Sequence, residues 1–222
     1  MDEIISLSGV TIRRGNSAPP ILADFHLRVE KGRLTVLLGA GGTGKTTLFK
    51  LLTGELQPDA GSVRVGNHDI AALRKGRIAA YRKSIGVIFQ DVPLLDDRTA
   101  AGQILLPMEL AQMPGARRRE RVNAIMERFQ LREIRDAYPA ALSMGMRQRV
   151  AIARAVASEP LVLLADEPAA HLDAASAREI AEIFLRENLR GMTILIGTSD
   201  ERFAAYFPNE SIVAFPPIVD RH

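Results

Sequence analysis

The sequence predicts an α/β fold in which an antiparallel β layer precedes a mostly parallel core sheet and a helical segment is inserted into that core. Three observations predict it. The earliest apolar, β-rich runs follow one another with no helix between them, the later ones alternate with helical segments, and residues 99–143 carry no strand pattern.

In order, the runs at residues 4–12, 25–29, 34–38, 62–65, 85–89, 161–165 and 193–197 read as strands. The Ala18-Pro19-Pro20 stretch reads as a turn. Helical patterns cover residues 102–112 and 117–129, and in the second Val122, Ile125, Met126 and Phe129 fall at i, i+3, i+4 and i+7. Arg117, Arg118, Arg119 and Arg121 open that helix. Charged helix faces are usually solvated, which is the plain reading; a contact patch for a partner or anionic lipid is the alternative. The expected division is one domain over residues 1–222. Within it, 1–98 and 144–222 form the core with its β layer, and 99–143 form a helical subdomain.

Composition bounds the function. The 222 residues are 47% hydrophobic and 25% charged, values ordinary for a globular domain with a sizeable core. With no cysteine, disulfides, thiolate zinc sites and thiol catalysis are excluded, which suits a reducing compartment. No apolar stretch approaches the roughly 20 residues of a membrane helix, and residues 1–10 lack a signal pattern, so membrane association is expected through a partner and the location is expected to be cytoplasmic. A net charge of +3, concentrated locally, does not imply nucleic acid.

Gly39-Ala40-Gly41-Gly42-Thr43-Gly44-Lys45-Thr46 satisfies G-x-x-x-x-G-K-[ST] between a strand-like and a helix-like run. Glycines let successive N–H groups turn towards phosphate oxygens at a helix N-terminus, whose dipole favours anions. Lys45 would reach the β and γ phosphates, Thr46 would offer a hydroxyl to Mg²⁺, and Thr47 completes the stretch placed around the nucleotide. A glycine-rich turn without a ligand is the competing reading, and the Lys-Thr ending in this context weighs heavily against it. The core is therefore expected to be that of a P-loop NTPase.

Asp166-Glu167 follows the apolar run 161–165 directly, at the strand end where open α/β sheets bind ligands. In phosphoryl transfer one acidic group there holds Mg²⁺ and a second orients or deprotonates the attacking water. Asp166 is assigned the first role and Glu167 the second. Acidic residues also occur as mere strand terminators, a reading that the phosphate loop displaces.

Together with Gln90, the Leu142-Ser143-Met144-Gly145-Met146 stretch and Leu172-Asp173, this order of motifs resembles the ABC-type ATPases over nearly the whole chain. The resemblance implies the ABC ATPase architecture, ATP and Mg²⁺ as ligands, and ATP hydrolysis. It implies that Gln90 approaches Mg²⁺ and water, and that Ser143 and Gly145 in a signature motif, with Asp173 in a D-loop, contact nucleotide across a homodimer or heterodimer. Within that family, Ile88-Phe89-Gln90-Asp91, Leu94-Leu95, Asp97-Arg98-Thr99 and residues 163–168 look most like the cell-division ATP-binding subunits of FtsE type, with lipoprotein-releasing and macrolide-export ATPases similar. That likeness implies an integral-membrane, permease-like partner of FtsX type.

Three features depart from the family pattern. Met144 and Met146 stand where the signature L-S-G-G-Q has Gly and Gln; Met144 cannot take a glycine-only conformation without cost, and Met146 lacks the amide. Ser199 occupies the switch-histidine position, so slow hydrolysis is expected; serine can hydrogen-bond but carries no charge near neutral pH. His171 is a candidate to compensate, against its being packed at an interface. Arg13 or Arg14 falls where an aromatic residue stacks on adenine; a guanidinium can stack, and a solvated arginine is the equal alternative. Two main functions follow: an ATPase that drives a membrane partner, or a nucleotide-gated module with little hydrolysis, including one half of a heteromeric pair. A DNA-repair or chromosome-structuring ATPase is disfavoured, since neither a long coiled-coil pattern nor zinc-binding cysteines occur.

Overall fold

The computed structural model describes residues 2–13, 19–91 and 93–215. Two sheets organise it. An antiparallel sheet runs in the order β2-β1-β4-β5, built from β1 (Glu3–Arg13), β2 (Pro20–Glu30), β4 (Ala60–Val65) and β5 (His68–Asp69). A parallel sheet runs β6-β7-β8-β3-β9, built from β3 (Leu34–Leu38), β6 (Gly86–Ile88), β7 (Leu163–Asp166), β8 (Ile194–Thr198) and β9 (Ile212–Ala214).

The run at 34–38 follows β2 closely in sequence, yet it belongs to the parallel sheet, between β8 and β9. Its pattern explains the placement. Val36 and Leu37 are both buried, on opposite faces, as a strand covered on two sides requires, whereas β1 alternates buried Ile5 and Leu7 with more exposed neighbours. Pro20, read as part of a turn, opens β2 instead; Ala18 lies outside the described residues. As the first strand residue, proline is tolerated in a ladder.

Side-chain alternation along the parallel strands divides the core in two. Val36, Leu163, Ala165, Ile194 and Ile196 point into one cluster, while Leu37, Leu164 and Leu195 point into the other. The first is roofed by α3 (Ala100–Leu110), α4 (Gly115–Arg128), α5 (Met144–Val156) and α6 (Ala174–Leu189). The second lies under the antiparallel sheet and α1 (Lys45–Leu52), with Tyr81 of α2 (Lys75–Arg82) reaching into it.

Residues 100–141 contain α3, α4 and two short 3₁₀ turns. Thr99 starts α3 by accepting the Gly102 N–H at 3.2 Å. The helix stops at Leu110, earlier than the expected Gln112, because Gln112 takes a left-handed conformation at φ 56°. Val122, Ile125, Met126 and Phe129 are all buried, as their spacing requires, and Arg121 is no free charge: it donates to the carbonyls of Ala157 and Val156 and pairs with Glu159 at 2.7 Å. A last short helix, α7 (Glu201–Ala204), follows β8. Among the described residues no helix is long and apolar enough to cross a membrane.

Candidate active site

Parallel strands place their carboxyl ends on one edge, so the segments leaving β3, β7 and β8 meet there: the glycine-rich loop, Asp166 with Glu167, and Thr198 with Ser199. Main-chain bonds fix the loop. Gly39 N–H donates to Thr198 O at 3.1 Å, and the Thr43 hydroxyl donates to Ala40 O at 2.9 Å. Gly44, at φ 104°, lies against β2, where a Cβ would stand 2.9 Å from Ile21 Cγ2, so both backbone and space demand glycine.

These segments enclose a cleft of about 810 Å³. From the loop, Gly41, Gly42, Gly44, Lys45, Thr46 and Thr47 line it. Gly39, Ala40 and Thr43 stand behind, bracing the loop through the bonds just given. Across the cleft lie Gln90, Glu167 and Ser199.

Lys45, 4% exposed, donates from Nζ to Gly39 O at 2.6 Å and Ala40 O at 3.0 Å, and stands 3.5 Å from Glu167 Oε1. Glu167 has a left-handed backbone at φ 47°, costly for a residue with a Cβ, and such strain gathers at functional positions. Its Oε2 accepts from the Thr198 hydroxyl at 3.2 Å and the Ser199 N–H at 3.1 Å. Ser199 thus supports Glu167 with its backbone.

Asp166 is buried, and burial pushes its carboxyl up, while the Thr46 hydroxyl and the ammonium of Lys45 pull it down against the repulsion of Glu167. Its Oδ1 is buried with no hydrogen-bond partner. A carboxylate with an orphaned oxygen beside a threonine hydroxyl fits a hard cation such as Mg²⁺, which takes one or two protein oxygens and fills its remaining positions with water and phosphate. Among the described residues no cluster of three His, Asp or Glu could cage a metal without such help.

Ser143, Gly145 and Asp173 do not line this cleft. They gather elsewhere: Ser143 caps α5 by accepting Met146 N–H at 3.3 Å, and Asp173 caps α6 by accepting from Ser176 N at 2.9 Å and Ser176 Oγ at 2.8 Å. A Cβ on Gly145 would sit 3.1 Å from that same Ser176 Oγ. The cost expected at Met144 does not arise, because it is the first residue of α5 and lies outside the left-handed region. Met146 packs against the helical core cluster.

Arg14 lies outside the described residues, and Arg13 ends β1 with its N–H bonded to Asp59 Oδ2 at 2.7 Å. Sequence reasoning gave no role to Thr198, Asp200, Arg202 or Ile21, which also line the cleft. Thr198, a polar residue ending an apolar strand, carried a usable signal. Arg202 carried none, because only the turn from β8 into α7 brings it to the cleft.

Against known proteins, residues 22–170 match the ABC transporter family. The methionine import ATP-binding protein MetN 1 of Yersinia pestis is 41% identical over 189 residues, covering 85% of this chain and 55% of that protein. MetN of Photorhabdus laumondii is 42% identical over 180 residues, covering 81% of this chain and 52% of its own length. The chain therefore spans about half the length of the curated relatives it matches. Among solved structures, the dimeric post-hydrolysis state of the ATP-binding cassette MJ0796 bound to ADP and Pi superposes with a TM-score of 0.81 at 27% identity, covering 94% of this chain and 96% of that one. The cbiO1 protein of Clostridium perfringens, part of the ABC transporter complex cbiONQ, gives a TM-score of 0.85 at 29% identity, covering 98% and 89%.

Proposed function

Because the chain belongs to the ABC transporter family, as an ATP-binding domain, we propose that it hydrolyses ATP with Mg²⁺ in the cleft above its glycine-rich loop and couples that cycle to an integral-membrane partner. The observation that carries the reading is the convergence of Lys45, Glu167 and the orphaned Asp166 Oδ1 at one sheet edge.

In this reading the N–H groups of residues 41–47 and the Lys45 ammonium receive the β and γ phosphates, and Lys45 gives up its bonds to Gly39 O and Ala40 O to do so. Thr46, Asp166 and Gln90 hold the Mg²⁺ site, and the metal's role is to neutralise phosphate charge. Glu167, steadied by Thr198 and the Ser199 backbone, accepts the proton of a water whose oxygen attacks the γ phosphorus, while the bond to the β-phosphate oxygen breaks and ADP leaves. Ser143, Gly145 and Asp173, which do not line their own cleft, would complete the cleft of a second subunit; the dimeric state of MJ0796 supports this arrangement.

We infer a permease-like partner, and with it a cytoplasmic position at the membrane's inner face. The methionine importers among the relatives favour a transport system. The motif residues 88–99 favour the second assignment, an FtsE-like subunit with an FtsX-like partner in cell division. Affinity purification from a host expressing each type of membrane protein separates the two by which one is retained.

A nucleotide-gated module with negligible turnover is the competing mechanism, and the loss of an imidazole at Ser199 is what favours it. Affinity and turnover measured side by side on the wild type, Lys45→Ala and Glu167→Gln decide. Turnover removed by both substitutions supports the ATPase; binding without turnover in the wild type overturns it and leaves the module.

A further inference from the structure

A nucleoside triphosphate brings several negative charges into the cleft, yet among the described lining residues only Lys45 and Arg202 carry a permanent positive charge. The two are held very differently. Lys45 is enclosed and committed to the loop carbonyls. Arg202, in the first turn of α7, has a side chain 92% exposed, restrained by one contact of 3.4 Å from Nε to Asp200 Oδ1. That contact is well beyond the ~2.7–2.9 Å of a good charge-assisted hydrogen bond, so the guanidinium is cheaply released.

Arg202 is also wired to the hydrolytic carboxylate. Asp200 N–H donates to Thr198 Oγ1 at 3.1 Å, and the Thr198 hydroxyl donates to Glu167 Oε2 at 3.2 Å, so a short chain of bonds runs from the guanidinium's anchor to Glu167. Ser199, which lines the same cleft and bonds Glu167 through its N–H, carries no charge. Three residues further on, Arg202 presents the planar fork that suits phosphate oxygens.

We propose that Arg202 is a catalytic residue of this chain, its guanidinium leaving Asp200 to bind the terminal phosphate oxygens of the nucleoside triphosphate and supplying there the positive charge that Ser199 cannot. The inference rests on the ATP-binding reading of the cleft. It differs from that reading in what it predicts, because a group that touches only the terminal phosphate discriminates triphosphate from diphosphate.

The test is titration of the wild type, Arg202→Ala and Arg202→Lys with Mg²⁺ and either the non-hydrolysable analogue AMP-PNP or ADP, together with ATP turnover. An exposed side chain can be truncated without loss of fold. Arg202→Ala is expected to weaken AMP-PNP binding about tenfold, the worth of a charge-assisted hydrogen bond, while ADP affinity stays within about twofold. Turnover is expected to fall at least as far, with part retained in Arg202→Lys and part restored when Ser199→His is added to Arg202→Ala. Unchanged AMP-PNP affinity, or equal losses for AMP-PNP and ADP, overturns the proposal while leaving the nucleotide site standing. A wild type that binds neither nucleotide overturns the site reading and this inference with it.

Discussion

Lys45 Nζ stands 3.5 Å from Glu167 Oε1, with side chains 5% and 15% exposed, so the cation proposed for phosphate is already shared with the carboxylate proposed to activate water. The arriving triphosphate must pull Lys45 from Glu167 and bring its own negative charge near that carboxylate. Glu167→Gln removes both obstacles. It is expected to tighten ATP binding by about fivefold to about 30-fold, since each relieved charge contact is worth up to about 1 kcal/mol, while turnover falls by about 100-fold or more. Equilibrium titration and a phosphate-release assay on the same preparation check both halves.

Gly197, buried in β8, packs directly under α1. A Cβ there would lie 2.6 Å from Cε2 of the buried Phe49 ring. Gly197→Ala is therefore expected to cost about 1–3 kcal/mol by overpacking. Denaturant unfolding measures it, and the weakened hold on the helix that begins at Lys45 should reduce nucleotide affinity as well.

At the junction of α4 with the end of α6, Glu187 is 4% exposed and accepts from two arginines, Arg128 at 3.2 Å and Arg190 at 3.3 Å. Arg128 has a buried Nε without a partner, and burial pushes its guanidinium down while Glu187 pushes it up. Glu187→Ala strands these charges and is expected to destabilise the fold by roughly 2 kcal/mol, the scale of an uncompensated, partly buried ion. Glu187→Gln, which keeps an acceptor, should cost less in the same thermal melt.

The Asp173 carboxylate lies below the ordinary aspartate range because the Ser176 N–H, and then the Ser176 hydroxyl, bind its charged form. A depressed folded value means the stabilisation is complete above the unfolded value, near ~3.9, and is lost as pH falls through the folded one. Thermal melts of the wild type and Asp173→Ala are thus expected to differ at pH 7, to begin approaching each other only as pH falls below about 4, and to converge once pH is below the folded value. A difference that persists unchanged in acid would contradict the capping account.

Much of the core was legible because its signals are local. The apolar runs at 161–165 and 193–197 marked β7 and β8 as buried strands, and the buried face of α4 followed from Val122, Ile125 and Met126. The strands β5 and β9, with 2 and 3 residues, are too short to carry a period. At the site, the loop and Asp166-Glu167 could be read because their chemistry is confined to adjacent residues. Thr198 meets Glu167 only because β7 and β8 pair in parallel, and Arg202 comes to the cleft only through the turn between β8 and α7, relations that no window of sequence displays.

The bond from Ser199 to Glu167 is made by a peptide N–H, and every amino acid but proline owns one. Position 199 can therefore exchange its side chain freely while the grip on the carboxylate persists. A substitution there changes what the side chain offers the cleft before it loosens the hold on Glu167.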